Sequence, residues 1–312
     1  MSVSVYYHED FLRHDPGPGH PERIGRLQSV LEVLKGDDFT TLHWPDVPLA
    51  DPELPMLAHR RDYVEKVLAA IPDAGFARLD PDTVVSPGSG QAALRAVGAA
   101  CAAVDAQVEG GRGYAFCALR PPGHHAEPDR AMGFCLFNNV AIAALHARKV
   151  HGLERIAVVD FDVHHGNGTE AIFKNDPGLF YASTHEWPLY PGTGAESETG
   201  IAGNIVNICL PHGCGSDVFR ARCRERLLPA LEGFAPQLLL ISAGFDAHRD
   251  DPLAGLMLVE EDYAWITRRL TEIAETCAGG RLVSCLEGGY DLQALGASVA
   301  AHVAALMDKG QS

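Results

Sequence analysis

The sequence carries little that would tie it to a membrane, to nucleic acid or to a disulfide framework. Lysine and arginine total 25 against 41 aspartates and glutamates, a formal charge of −16. That balance disfavours a sequence-independent grip on nucleic acid phosphates; it suits solubility and a cationic substrate. The longest apolar stretch, around Leu238 to Phe245, falls far short of the ~20 residues a membrane-spanning helix needs. Met1 to Asp10 has neither a basic nor an apolar segment, so no secretory signal is expected. The eight cysteines, at 101, 117, 135, 209, 214, 223, 277 and 285, form no CxxC pair. Reduced core thiols in a cytoplasmic protein fit this better than disulfides or a cysteine zinc site. With no internal repeat, low-complexity segment or splitting linker, residues 1–312 read as one domain.

Two kinds of segment alternate. Val3–Tyr7, Ala115–Leu119, Ile156–Phe161, Leu179–Ser183, Ile205–Leu210, Leu238–Ser242 and Leu282–Leu286 are β-rich. Several are apolar almost throughout, as strands buried on both faces are. Ile24–Leu34, Arg60–Ala70, Ser89–Val108, Asn138–Val150, Ser216–Leu231, Glu260–Cys277 and Leu292–Met307 have helix-forming composition. Alternation of this kind predicts an α/β fold with a parallel sheet. In such sheets ligands bind beyond the carboxyl ends of the strands.

Four strand ends carry the chemistry. They lead into Arg120-Pro-Pro-Gly-His-His-Ala126, Asp160-Phe-Asp-Val-His-His-Gly-Asn-Gly168, Ala243-Gly-Phe-Asp-Ala-His248 and Glu287-Gly-Gly-Tyr-Asp291. In extended chain Asp162 and His164 point the same way, and with Asp246 they make a donor set suited to a zinc or ferrous ion with an open position. Taken alone, Asp162 and His164 also read as turn-capping residues. The tandem His124-His125 offers a proton acceptor and donor near neutral pH, with Asp160 and Asn167 as the nearby partners that would tune it; a surface loop is the other reading. Gly288-Gly289 permits a turn that projects Tyr290 into a cleft, where its phenol could donate to an oxyanion. A tyrosine packed under a loop would look the same.

Together RPPGHHA at 120–126, GFCLFNN at 133–139, VDFDVHHGNGTE at 159–170, YPGTG at 190–194, SAGFDAH at 242–248 and LEGGYD at 286–291 closely resemble the histone deacetylase superfamily. The wording is most similar to its class II and bacterial deacetylase-like branches. The resemblance runs from His20-Pro-Glu-Arg23 to Asp291. It implies an arginase/deacetylase-type fold with a central eight-stranded parallel sheet, and zinc-dependent amide hydrolysis. It implies zinc on Asp162, His164 and Asp246, with ferrous iron as the alternative. His125 would be the general base, His124 its electrostatic neighbour with Asp160, and Tyr290 the carbonyl-polarising phenol. Gly133, Phe134 and Tyr190 would wall the acyl-lysine tunnel, beside Gly288, Gly289 and Leu253. Asp82 falls where relatives bind substrate backbone. A structural potassium ion is implied around Asp160, Asp162, His164, Ser183 and Thr184, and Arg23 would lie near an internal acetate channel.

The expected substrate is an acyl-lysine peptide or protein. An acetylpolyamine or other small acetylated amine is the alternative. Leu253, in Asp251-Pro252-Leu253, argues against a polyamine gate there, while Asp250 and Asp251 keep the rim acidic. Trp187 reads either as a rim aromatic or as a packed loop residue. Asp246-x-His248-x-Asp250 is similar to the spacing in dimetal ureohydrolases, but the second aspartate-rich motif of those enzymes is missing. A silent acyl-lysine-binding module is the remaining class, and the presence of His125, Tyr290 and all three metal positions speaks against it.

Overall fold

Seven runs of β-branched, aromatic and leucine residues pair side by side, all in parallel. The computed structural model describes residues 2–110 and 113–308. In chain order the elements are β1 (Val3–Tyr6), α1 (Ile24–Leu34), α2 (Arg61–Ala69), β2 (Ala77–Arg78), β3 (Val84–Val85), α3 (Ser89–Val108), β4 (Tyr114–Cys117), α4 (Asn139–His151), β5 (Ile156–Asp160), α5 (Asn167–Phe173), β6 (Leu179–Glu186), β7 (Ile205–Leu210), α6 (Ser216–Arg222), α7 (Leu228–Phe234), β8 (Leu238–Ala243), α8 (Glu260–Cys277), β9 (Leu282–Leu286) and α9 (Leu292–Met307).

The main sheet runs β1-β4-β9-β8-β5-β6-β7. It has seven strands among the described residues, not the eight that the family resemblance implies. The seven are the runs whose composition marks them as strands. The two further strands, β2 and β3, are only two residues each and form a separate antiparallel pair. Every residue of β4, β5, β6, β8 and β9 is buried, because helices cover both faces of the sheet.

Four helices begin and end where the composition places them. The expected helix at 216–231 is instead α6 and α7 joined through a π-helical turn, Cys223–Leu227, and it continues to Phe234. Pro229, at the start of α7, has no N–H to give to the preceding turn, which is where a widened turn costs least. No helix among the described residues is long and apolar enough to cross a membrane. All eight cysteines are unpaired, and six are buried.

The strand order positions the site. β4, β9, β8 and β5 are consecutive neighbours at the middle of the sheet. The four polar segments that follow them therefore emerge side by side, although up to 171 positions separate them in the chain (120 to 291).

Candidate active site

Asp162, His164 and Asp246 converge beyond β5 and β8, with one potential ligand atom from each lying within 4.8 Å of the others. Nδ1 of His164 lies 3.2 Å from Asp162 Oδ1 and 3.1 Å from Asp246 Oδ2. Backbone donors fix both carboxylates. The His164 N–H donates to Asp162 Oδ1 at 2.9 Å, the Gly288 N–H to Asp162 Oδ2 at 2.9 Å, and the Val163 N–H to Asp246 Oδ1 at 2.9 Å. A Cβ at Gly244 or Gly288 would collide with these carboxylates, so the glycines of the AGFD and EGGY segments are what let the chain close around the trio.

The trio holds more negative charge than its own groups can balance. Burial favours a neutral imidazole at His164, yet hydrogen bonds and charge from Asp162 and Asp246 raise it to about 10. Burial and then the charge of Asp162 push Asp246 up to about 7. Two carboxylates and one imidazole, buried and fixed from behind, fit a divalent ion such as zinc, which would take up that charge and leave coordination positions free.

The two histidines of the tandem differ by their partners. His124 donates from Nδ1 to Asp160 Oδ2 at 3.0 Å. Burial opposes a charge there, but Asp162, Asp160 and Glu287 outweigh it and raise His124 to about 10. His125 donates from Nδ1 to the amide oxygen of Asn167 at 2.8 Å. Burial, then the charges on His124 and His164, hold His125 well below the usual histidine range. His125 thus keeps Nε2 as a free base. The peptide turn beneath them rests on Glu287, whose Oε2 accepts from the Gly123 N–H at 2.6 Å and the His124 N–H at 3.2 Å.

Tyr290 follows Gly289, at φ +122°. Its backbone N–H donates to Asp251 Oδ2 at 2.7 Å, and the Arg26 guanidinium lies 4.8 Å from its ring centre. Burial, opposed by Arg26, keeps its phenol well above the ordinary range and so protonated, a donor and not a charge.

Aromatic rings pack against the histidines and Tyr290. The Tyr190 ring packs edge-on to His125 at 5.2 Å and to His164 at 6.2 Å. Phe134 lies edge-on to Tyr290 at 5.9 Å. Gly133, at φ +57°, has no room for a Cβ against the His125 ring, and Phe134 itself sits at φ +68°. Asp82 accepts from the Gly133 N–H at 3.0 Å and from the Thr83 hydroxyl at 2.8 Å.

Several expectations move. Arg23 is exposed at the N-cap of α1. The buried arginine beside Tyr290 is Arg26, one turn on, which donates to the Gly289 and Glu287 carbonyls and to Glu22. Glu22 in turn pairs with the buried Arg120. The Gly288 N–H donates to Asp162 and the Gly289 carbonyl accepts from Arg26. Leu253 is exposed, its N–H tied to Asp251 Oδ1 at 2.9 Å. His248 is buried. Trp187 is half-buried against His185. Asp160 and Ser183 are register partners on β5 and β6, with Asp162, His164 and Thr184 buried just beyond. Glu287, Arg26 and Glu22 join these side chains without a motif to mark their roles, although Glu287 stands at a strand end beside Gly288-Gly289, and Asp251, a rim carboxylate by sequence, holds the Tyr290 N–H.

Residues 20–306 match the model of the histone deacetylase domain. An uncharacterized protein of Synechocystis is 44% identical over 302 residues, covering 95% of this chain and 97% of its own. A histone deacetylase-like amidohydrolase of Pseudomonas aeruginosa is 40% identical over 274 residues, covering 86% of this chain and 71% of its own. The crystal structure of the HDA15 HD domain superposes with a TM-score of 0.91 at 32% identity, covering 98% of this chain and 89% of that one. The chain belongs to the histone deacetylase family.

Proposed function

We propose that this chain is a zinc-dependent amidohydrolase that removes an acetyl or related acyl group from the ε-amine of acyl-lysine. Family membership supports a deacetylase or amidohydrolase. The observation that carries the finer reading is the His125–Asn167 hydrogen bond beside the Asp162–His164–Asp246 trio, where burial and the charges on His124 and His164 favour a neutral imidazole. Those three residues would hold the divalent ion, which when bound supplies Lewis acidity to a water and to the acyl oxygen. Nε2 of His125 takes a proton from the attacking water. The Tyr290 hydroxyl donates to the acyl oxygen as negative charge develops on it. The carbon–nitrogen bond breaks, a histidine returns a proton to the leaving amine, and the products are a carboxylate and a free amine. His124, kept cationic by Asp162 and Asp160, stabilises the negative charge nearby. Phe134, Gly133 and Tyr190 suit the methylene stem of a lysine, whose length apolar walls can hold. A potassium ion around Asp160, Asp162, His164, Ser183 and Thr184 belongs to the same proposal; the support for it is the buried carboxylate of Asp160 opposite Ser183.

One observation favours a second substrate class. Asp80 and Asp82 lie at the entrance near Tyr190, and a distal ammonium of a small acetylated polyamine would pair with them. Measuring kcat/KM on an acetyl-lysine peptide and on acetylspermidine separates the two. The peptide reading predicts the higher value for the peptide. A preference of about a hundredfold for the polyamine, some 2.7 kcal/mol in transition-state binding, would overturn it.

A further inference from the structure

We propose that Asp105, His146 and His151 form a second metal site, remote from the catalytic one, that takes zinc or a neighbouring first-row ion. Among the described residues, this is the other place where three metal-type side chains bring ligand atoms within 4.8 Å of one another. Asp105 stands in the last turn of α3, and His146 and His151 in the last part of α4. Nε2 of His146 is 2.7 Å, and Nε2 of His151 2.6 Å, from the same oxygen, Oδ1 of Asp105. The ring centres are 6.0 Å apart and the planes 78° apart, so the two nitrogens approach that point from different directions.

As hydrogen bonding alone, two ring N–H groups share the two lone pairs of one carboxylate oxygen. A cation at the focus lets both imidazoles offer Nε2 lone pairs, with the proton on Nδ1, and lets the carboxylate offer a full charge. Ligands about 2 Å from a zinc ion would need the three atoms to separate only slightly. Both helices end here, and the partial negative charge of two helix C-termini favours a cation. Two nitrogens and one oxygen suit zinc, cobalt or nickel better than magnesium or calcium. The side chains of His146 and His151 are 12% and 11% exposed and that of Asp105 38%, which leaves an open side for water as further ligand.

The placement argues for a clamp and not for catalysis. α3 ends six positions before β4 begins, and α4 five before β5. The cluster therefore lies near the starting edge of the sheet, whereas the catalytic segments follow strand ends. An ion here would tie α3 to α4 without touching the catalytic residues.

The test is a metal count on full-length protein, stripped with a chelator and dialysed against zinc. The wild type should retain one ion more per chain than Asp105→Asn or the double variant His146→Asn/His151→Asn, with hydrolysis of an acetyl-lysine peptide unchanged in both. Asp105→Asn keeps the size and a hydrogen-bond acceptor, so it reports on the site even if the double variant fails to fold. In Asp246→Asn, cobalt absorption bands should persist, and adding Asp105→Asn should abolish them. Equal zinc content in the wild type and Asp105→Asn, or cobalt bands indifferent to Asp105, would overturn the proposal.

Discussion

Asn167 accepts the Nδ1 proton of His125 at 2.8 Å, while the adjacent His124 gives its own Nδ1 proton to a carboxylate, that of Asp160, at 3.0 Å. Asp162 and Asp160 favour a charged His124, while burial and the charges on His124 and His164 keep His125 neutral, and the Asn167 amide adds no charge to oppose them. Replacing Asn167 by Asp would give His125 a charged partner and raise its pKa by about 1–3 units. A base must be unprotonated to act, so the acidic limb of the kcat/KM profile should move to higher pH by that amount. The cost in kcat/KM should appear on the acidic side of the profile, approaching about tenfold for each pH unit by which the limb moves. A pH–rate profile of Asn167→Asp superimposable on that of the wild type would show that this partner does not set the base.

Tyr290→Phe removes one hydroxyl and leaves the ring between Arg26 and Phe134. Loss of a single oxyanion donor costs about 10²–10³ in kcat. Metal content should stay that of the wild type, since Tyr290 is outside the trio. Steady-state kinetics and a metal assay on the same preparation check both halves.

Gly133→Ala should be more damaging than its size suggests. The position has φ +57°, and the new Cβ would meet the His125 ring. Left-handed backbone at a non-glycine residue costs about 1–3 kcal/mol, and displacement of His125 should add a loss of kcat of more than about tenfold. Denaturant titration and kcat are the readouts; a variant as stable and as active as the wild type would contradict the packing described.

His59 sets an acid limit on stability. Its Nδ1–H donates to the Glu127 carbonyl at 2.8 Å, and its Nε2 accepts from the Asn138 N–H at 2.8 Å. A second ring proton would oppose that N–H. Burial, offset in part by the Glu127 hydrogen bond, lowers the pKa from 6.5 to about 4. The unfolded chain therefore binds the proton first as pH falls. Stability is complete above pH ~6.5 and is lost progressively toward pH ~4, by about 3 kcal/mol for this group. His59→Gln should be less stable at neutral pH but show a shallower decline over that window in urea titrations at stepped pH.

Much of this was legible in the residues, for definite reasons. The seven strands announce themselves because both faces are buried, so nearly every position is apolar. The Asp162–His164–Asp246 cluster and the tandem histidines are legible because carboxylates and imidazoles gather beside glycines at the strand ends. Elements held by long-range contacts are harder to read. Arg26 and Arg23 are equally plausible in the sequence, and only α1 packing against the Gly289 segment decides which is buried. Asp251 looks like one more rim carboxylate until the Tyr290 N–H is seen to rest on it. The short α5 starts among glycines and has little helix propensity to betray it. The count of eight strands came from the resemblance, whereas the residue pattern itself contains seven.

The account stands most directly on metal-dependent hydrolysis at the Asp162–His164–Asp246 trio. The decisive measurement is acetate release from an acetyl-lysine peptide by wild type and Asp246→Ala, each after chelation and again after zinc is restored. The account predicts that chelation abolishes turnover in the wild type, that zinc restores it, and that Asp246→Ala stays inactive throughout. Turnover that survives both chelation and the loss of Asp246 would contradict it.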